Sequence, residues 1–226
     1  SNNQFSSLIF SPGITLSTLH CNGNQLTGLN LSSLTNLVDL TASNNYLMDL
    51  ILPENDRLTF VYCDTNLLTS IDVSGSPNLE RMTCNYNLLT NLDVTNNPQL
   101  THLDISDNQL TEIDLSNNSG LVHLSLNNNL LESLDVSNFT QLQPVVDAMY
   151  NRLKFSTIFK SENVTLNIIP QAVIHGEDAN VHGIIDLSAE YNVNGEITEY
   201  RWYDNNNWEI TLVDIGTGMF KPPVAY

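Results

Sequence analysis

The chain has 226 residues, with 25 Asp and Glu against seven Lys and Arg, and a formal net charge of −18. That acid excess leaves nothing to neutralise a run of phosphates, which excludes nucleic acid as a partner and disfavours an anionic membrane surface. No apolar run reaches the ~18 residues needed to span a bilayer, so no membrane insertion is expected. The 41% hydrophobic content is enough to bury a core. The chain starts at Ser1 without Met or an apolar leader, and is expected to be a piece of a processed protein.

Composition already points to repetition, with 34 Leu and 32 Asn in one chain. In chain order, Asn3 with Phe5, Leu8, Phe10 and Leu16 opens an incomplete first unit. Asn24, Asn45, Asn66, Asn87, Asn108, Asn129 and Asn151 then recur at intervals of 21, 21, 21, 21, 21 and 22. Two residues after each stands a leucine, Leu26, Leu47, Leu68, Leu89, Leu110, Leu131 or Leu153. Apolar residues also hold the positions five before and five, seven and thirteen after. A unit this short cannot bury its apolar face alone, so the columns predict stacked coils with continuous core ladders. The segment ending at each Asn alternates like a strand, and the Asn is expected to satisfy backbone groups at the following bend. Pro77 and Pro98 share a column beyond it, and Ser74, Thr95, Ser116 and Ser137 another, which suits turns and excludes a long helix in each coil.

After Asn151 the period fails, and "LKFSTIFKSENVTLNIIPQAVI" reads as a last rung followed by a crossing into a second unit. From about Val164 short strand-like runs alternate with Gly and Asn. The expected division is a solenoid over residues 1–160, with about eight coils, and a small β segment over 161–226.

The units "LTSIDVSGSPNLERMTCNYN" and "LTNLDVTNNPQLTHLDISDN" resemble bacterial leucine-rich repeats of the short type found in internalin-like surface proteins, and secreted repeat proteins of Bacteroidetes. The resemblance covers roughly residues 3–160. It implies a curved leucine-rich-repeat solenoid with a parallel sheet on the concave side and a helix-poor convex side. "IDLSAEYNVNGEITEYRWYD" resembles bacterial immunoglobulin-like or PKD-like modules, with Trp202 as the core Trp of a central strand. About 60 residues remain for it against the ~100 such a sandwich needs, so the segment is expected to be truncated or partial, spacing or capping the solenoid.

Cys21, Cys63 and Cys84 share a column with Ala42, Ile105, Leu126 and Ala148, which marks an inward core position. The column is similar to the cysteine ladder of one internalin subtype. Only Cys63 and Cys84 lie on adjacent coils, and side chains in a parallel ladder point alongside one another, so free thiols are expected over a disulfide.

Residues alternating with the buried columns face the concave side. They place Phe60, Tyr62, Arg81, Thr83, Tyr86, His102, Asp104 and His123 on consecutive coils as a candidate partner-binding patch, because exposed aromatics and Arg carry binding energy at protein interfaces. Strand propensity alone also accounts for Phe and Tyr there. His102, His123 and Asp104 suggest a zinc site, against the commoner reading of solvated histidines. Asp72, Asp93, Asp114 and Asp135 form an outward column, explained either by calcium or, more simply, by bonds to nearby backbone N–H groups. No cofactor is called for. No catalytic motif is present, and His175 and His182 have no evident nucleophile beside them. The sequons at Asn30, Asn117, Asn138 and Asn163 are expected by chance in so Asn- and Ser-rich a chain.

The expected function is a non-catalytic extracellular or cell-surface module that binds a protein, with a host or cell-surface protein as a candidate, through the concave face. The alternatives are glycan binding, with Tyr62 and Tyr86 stacking sugars beside Asn and Asp, and a purely structural stalk.

Overall fold

A computed structural model describes residues 2–11, 13–140, 145–153, 158–160 and 164–167, together with seven short strands between residues 185 and 221. The strands in chain order begin with β1 (Thr18–His20), β2 (Gly28–Asn30), β3 (Asp39–Thr41), β4 (Asp49–Ile51), β5 (Phe60–Tyr62) and β6 (Arg81–Thr83). There follow β7 (His102–Asp104), β8 (His123–Ser125), β9 (Leu134–Val136), β10 (Val145–Asp147), β11 (Ile158–Lys160) and β12 (Thr165–Asn167).

Eight of these form one parallel sheet in the order β1-β3-β5-β6-β7-β8-β10-β12. Its register is the sequence period: Thr18 pairs with Asp39, Asp39 with Phe60, Phe60 with Arg81, Arg81 with His102 and His102 with His123. The 22-residue interval before Asn151 is taken up where His123 meets Val145. β12 extends the sheet past residue 160, pairing Thr165 with Val145. On the other side of the coils the pairs β2–β4 and β9–β11 are also parallel. Among the described residues there is no helix.

Each coil closes because its sequence supplies three local devices. The first is the alternation at the strand, which sends Leu40, Val61, Met82, Leu103 and Leu124 inward, all at or below 2% exposure. The second is the residue before each ladder Asn, held in the left-handed region at Asn44, Thr65, Tyr86, Asp107, Asn128 and Tyr150, with Gly23 in the same column. Asn and Asp tolerate that conformation, whereas β-branched Thr65 does not. Thr65→Gly is therefore expected to raise stability by about 0.5–1 kcal/mol, since relief of left-handed strain exceeds the added freedom of the unfolded chain. Thermal denaturation checks this, with the midpoint rising. The third device is a pair of successive turns in place of a helix, as in Ser76 N–H to Val73 O at 3.0 Å and Leu79 N–H to Ser76 O at 3.1 Å. Pro77 and Pro98 stand second in such turns, where a fixed φ is favoured and no N–H is required.

The core is one continuous cluster from Cys21 to Val164, and the file Leu26, Leu47, Leu68, Leu89, Leu110 and Leu131 is fully buried within it. At the start of the chain Leu8, Phe10 and Leu16 pack against this cluster and Phe5 N–H donates to Asn24 Oδ1, so the expected earlier unit is present in part. Cys21, Cys63 and Cys84 are buried and free. Burial pushes the Cys21 thiol up to about 11. A hydrogen bond with the Cys84 thiol and burial hold the Cys63 thiol well above the usual range.

The strands between residues 185 and 221 pair antiparallel. β13 (Ile185–Asp186), β14 (Asn192–Val193), β15 (Glu196–Ile197), β16 (Trp202–Tyr203), β17 (Glu209–Ile210), β18 (Val213–Gly216) and β19 (Met219–Lys221) make the arrangements β13-β19-β18, β14-β15 and β16-β17. Trp202 lies in β16, opposite Ile210, and its side-chain surroundings fall outside the described residues, as do His175, His182 and most of the crossing segment after Asn167.

Candidate recognition face

Asparagines of the ladder set the rigidity of the face. Asn87 is buried, and its Nδ2 donates to Cys84 O of its own coil at 3.1 Å and to Cys63 O of the preceding coil at 3.1 Å. Its Oδ1 accepts the Leu68 N–H at 3.0 Å. The same three bonds recur at Asn45, Asn66, Asn108 and Asn129, so each carbonyl in the ladder serves two asparagines. Every bend is thereby tied to its neighbour, and the strand residues that precede it are held in fixed register.

On that frame two outward columns of the eight-stranded sheet, the face expected to be concave, stand side by side. One carries Phe60, Arg81, His102 and His123, paired in register across β5 to β8. The other carries Tyr62, Thr83, Asp104 and Ser125 on the same strands. Phe60, Tyr62, Thr83, His102 and Asp104 are half-buried, whereas Arg81 and His123 are exposed. Tyr86 is not on a strand. It occupies the left-handed position at the turn, 60% exposed, at the rim of the face.

The second column is bound up in hydrogen bonds of its own. Asp64 accepts the hydroxyls of Ser43 at 3.0 Å and Thr83 at 2.7 Å, and the Asn85 N–H at 3.2 Å. Asp104 accepts Asn85 Nδ2 at 2.9 Å and the Ser106 N–H at 3.0 Å, and Ser106 shares a bond with Ser125 at 2.8 Å. Asp104 is thus directed to Asn85 and Ser106. Among the described residues no group of three or more His, Cys, Asp and Glu is placed to hold a metal ion, so the zinc reading of His102, His123 and Asp104 finds no cluster to rest on.

The first column differs. The His102 and His123 rings stack with centroids 4.7 Å apart and planes 37° from parallel. Thr101 Oγ1 lies 2.9 Å from His102 Nδ1. Desolvation, with Arg81 and His123 adding repulsion, holds the His102 imidazole below its ordinary value.

On the opposite flank, Asp72, Asp93 and Asp135 each accept the N–H and the hydroxyl of the Ser or Thr two residues on, and Asp114 accepts the Ser116 N–H. These bonds depress the Asp72, Asp93 and Asp114 carboxyls, the simpler of the two readings of that column.

Two features go beyond the columns read from sequence. Tyr46, Leu67 and Leu88, one residue after successive ladder asparagines, form an apolar ridge at 56%, 42% and 40% exposure. Asn97 and Asn118 make a second, convex ladder, Asn97 donating to Val73 O and Ser76 O and Asn118 to Val94 O and Asn97 O.

Strand-only coils, an eight-stranded parallel sheet and an asparagine ladder define a leucine-rich-repeat solenoid. Among solved structures the chain is similar to an internalin, InlF, of Listeria monocytogenes, at 22% identity and a TM-score of 0.52, covering 66% of this chain and 48% of that one. It is similar also to the leucine-rich-repeat domain of APL1, at 22% identity and a TM-score of 0.52, covering 67% of this chain and 47% of that one. The chain therefore spans about half the length of these neighbours, and the likeness concerns the fold. No family model matches the sequence, and no curated protein matches it. Among the described residues no helix is long and apolar enough to cross a membrane.

Proposed function

We propose that the chain is a non-catalytic recognition module of bacterial type, working outside the cell or at its surface, that binds a protein through the concave face of the solenoid. The observation that carries this reading is the registered set Phe60, Tyr62, Arg81, His102 and His123 on four consecutive strands, aromatic and cationic side chains at the surface of a chain whose net charge is −18. Aromatic and Arg side chains on a rigid, pre-organised sheet lose little entropy on binding, which favours them as interface anchors. The segment beyond Asn167 serves in this reading as an immunoglobulin-like or PKD-like spacer or cap, since β12 belongs to the solenoid's sheet.

Phe60→Ala combined with Tyr62→Ala is expected to abolish retention of the protein partner by immobilised chain while the melting transition stays within a few degrees of the parent. Retention unchanged by that pair contradicts the concave-face reading. Binding on a glycan array without any protein partner favours the glycan alternative, in which Tyr62 and Tyr86 stack sugars.

A further inference from the structure

We infer that the Arg81–His102–His123 column is a carboxylate-binding track that takes an acidic peptide segment of the partner protein, two Asp or Glu residues spaced i and i+2, and holds it more tightly as the pH falls below 7. The inference rests on the concave-face reading above and names the chemistry of its ligand. Three successive coils place a guanidinium and two imidazoles in one registered column, although the whole chain has only seven Lys and Arg and five His. Their nitrogen atoms are largely uncommitted. The Arg81 and His123 side chains make no hydrogen bond or ion pair among the described residues, and the His102 ring meets only the Thr101 hydroxyl, at Nδ1.

The charged groups around the imidazoles do not fill this role themselves. Asp104 on β7 is bonded to Asn85 and Ser106, and Asp147 on β10 accepts Asn167 Nδ2 at 2.5 Å. Asp64, between β5 and β6, is taken by Ser43, Thr83 and Asn85. Glu80, exposed, precedes Arg81. Val145 stands in register beyond His123 and Phe60 beyond Arg81, so apolar side chains bound the column at both ends.

Spacing selects the ligand. Adjacent strands are ~4.8 Å apart, so the midpoint of the imidazole pair lies about 7 Å from the Arg81 position. An extended peptide laid along the column presents same-side residues about 6.6–7 Å apart. One carboxylate then reaches the Arg81 guanidinium, which suits bidentate pairing, and the next reaches the N–H edges of the two stacked rings. Both rings become donors when protonated, and two imidazolium groups at this separation repel unless an anion at their edges offsets the charge. Carboxylate binding therefore draws protons onto the pair, and by linkage binding strengthens as pH falls through the imidazole range.

The test is a titration of the full chain with an acetylated decapeptide carrying Glu-Ala-Glu in a Gly/Ser background, at about 0.15 M salt, where charges beyond ~8 Å are screened. Affinity is expected to rise roughly fivefold between pH 7.5 and 5.5, as for one imidazole gaining about one pH unit, with the Glu carboxylates ionised throughout. His102→Gln with His123→Gln is expected to flatten that response, and Arg81→Gln to weaken binding about tenfold across the range. Equal binding of a Gln-Ala-Gln peptide, or a pH response that survives in the double His variant, overturns the inference. Tighter binding of an oligogalacturonate than of the peptide overturns the choice of a peptide. Phe60 and Tyr62 stay in place throughout, so a flat pH response of the parent chain, with partner retention intact, overturns this inference alone.

Discussion

Replacing Asn87 by Leu is expected to lower the unfolding free energy by about 2–5 kcal/mol, although the side chains are of similar size. Asn87 is the only partner of the Leu68 N–H, which is buried and has no alternative acceptor among the described residues. Leaving that donor unpaired costs about 1–3 kcal/mol. The two carbonyls that accept from Asn87 fare better. Cys63 O keeps Asn66 Nδ2 at 3.0 Å, and Cys84 O keeps Asn108 Nδ2 at 3.0 Å. Each loses one of its bonds, a smaller loss of about 0.5–1.5 kcal/mol. Apolar gain from the leucine offsets part of this and does not reverse it, because the site lies among backbone dipoles. Urea denaturation followed by circular dichroism reads the effect, and a change under 1 kcal/mol contradicts the ladder as described.

The second large effect separates two neighbouring leucines. Leu89→Ala is expected to cost about 2–5 kcal/mol, whereas Leu88→Ala should fall within about 0.5 kcal/mol of the parent. Leu89 is fully buried in the file between Leu68 and Leu110, so truncation opens a cavity that rigid backbone on both sides cannot close. Leu88 is 40% exposed on the ridge with Tyr46 and Leu67. In a solenoid each coil contacts only its neighbours, so the weakened interface lies in the middle of the array and divides it. Comparable losses from the two substitutions contradict the assignment of the columns.

The core columns were legible in the sequence because burial in a stacked coil leaves no freedom of type: position after position must be apolar at the same offset. Register followed from the period, and so did the concave set, since the strand alternation leaves only one other face. The convex ladder was not legible. Its column reads Leu34, Asn55, Ser76, Asn97, Asn118 and Phe139, mixing polar and apolar residues, because there a carbonyl-binding amide and a packed side chain both close the turn. The ridge was hidden for the opposite reason, as Leu67 and Leu88 stand next to core leucines and carry no mark of their exposure. Thr83 Oγ1 donates to Asp64 and Asn85 Nδ2 to Asp104 across coils and between different columns, a relation that a column-by-column reading does not reveal. Beyond Asn167 no period exists to transfer, and the strand-like runs there determine neither pairing nor order.

The most direct test of stacking is the distance between spin labels on one exposed column. Thr27→Cys with Thr111→Cys places labels four coils apart, and both positions are exposed, while the three native thiols are buried and resist labelling. Pulsed electron-spin measurements are expected to give roughly 19 Å between attachment points, at ~4.8 Å for each coil. Moving the second label to Glu132, one coil further, should add about 5 Å. A separation that fails to grow by this step contradicts the solenoid.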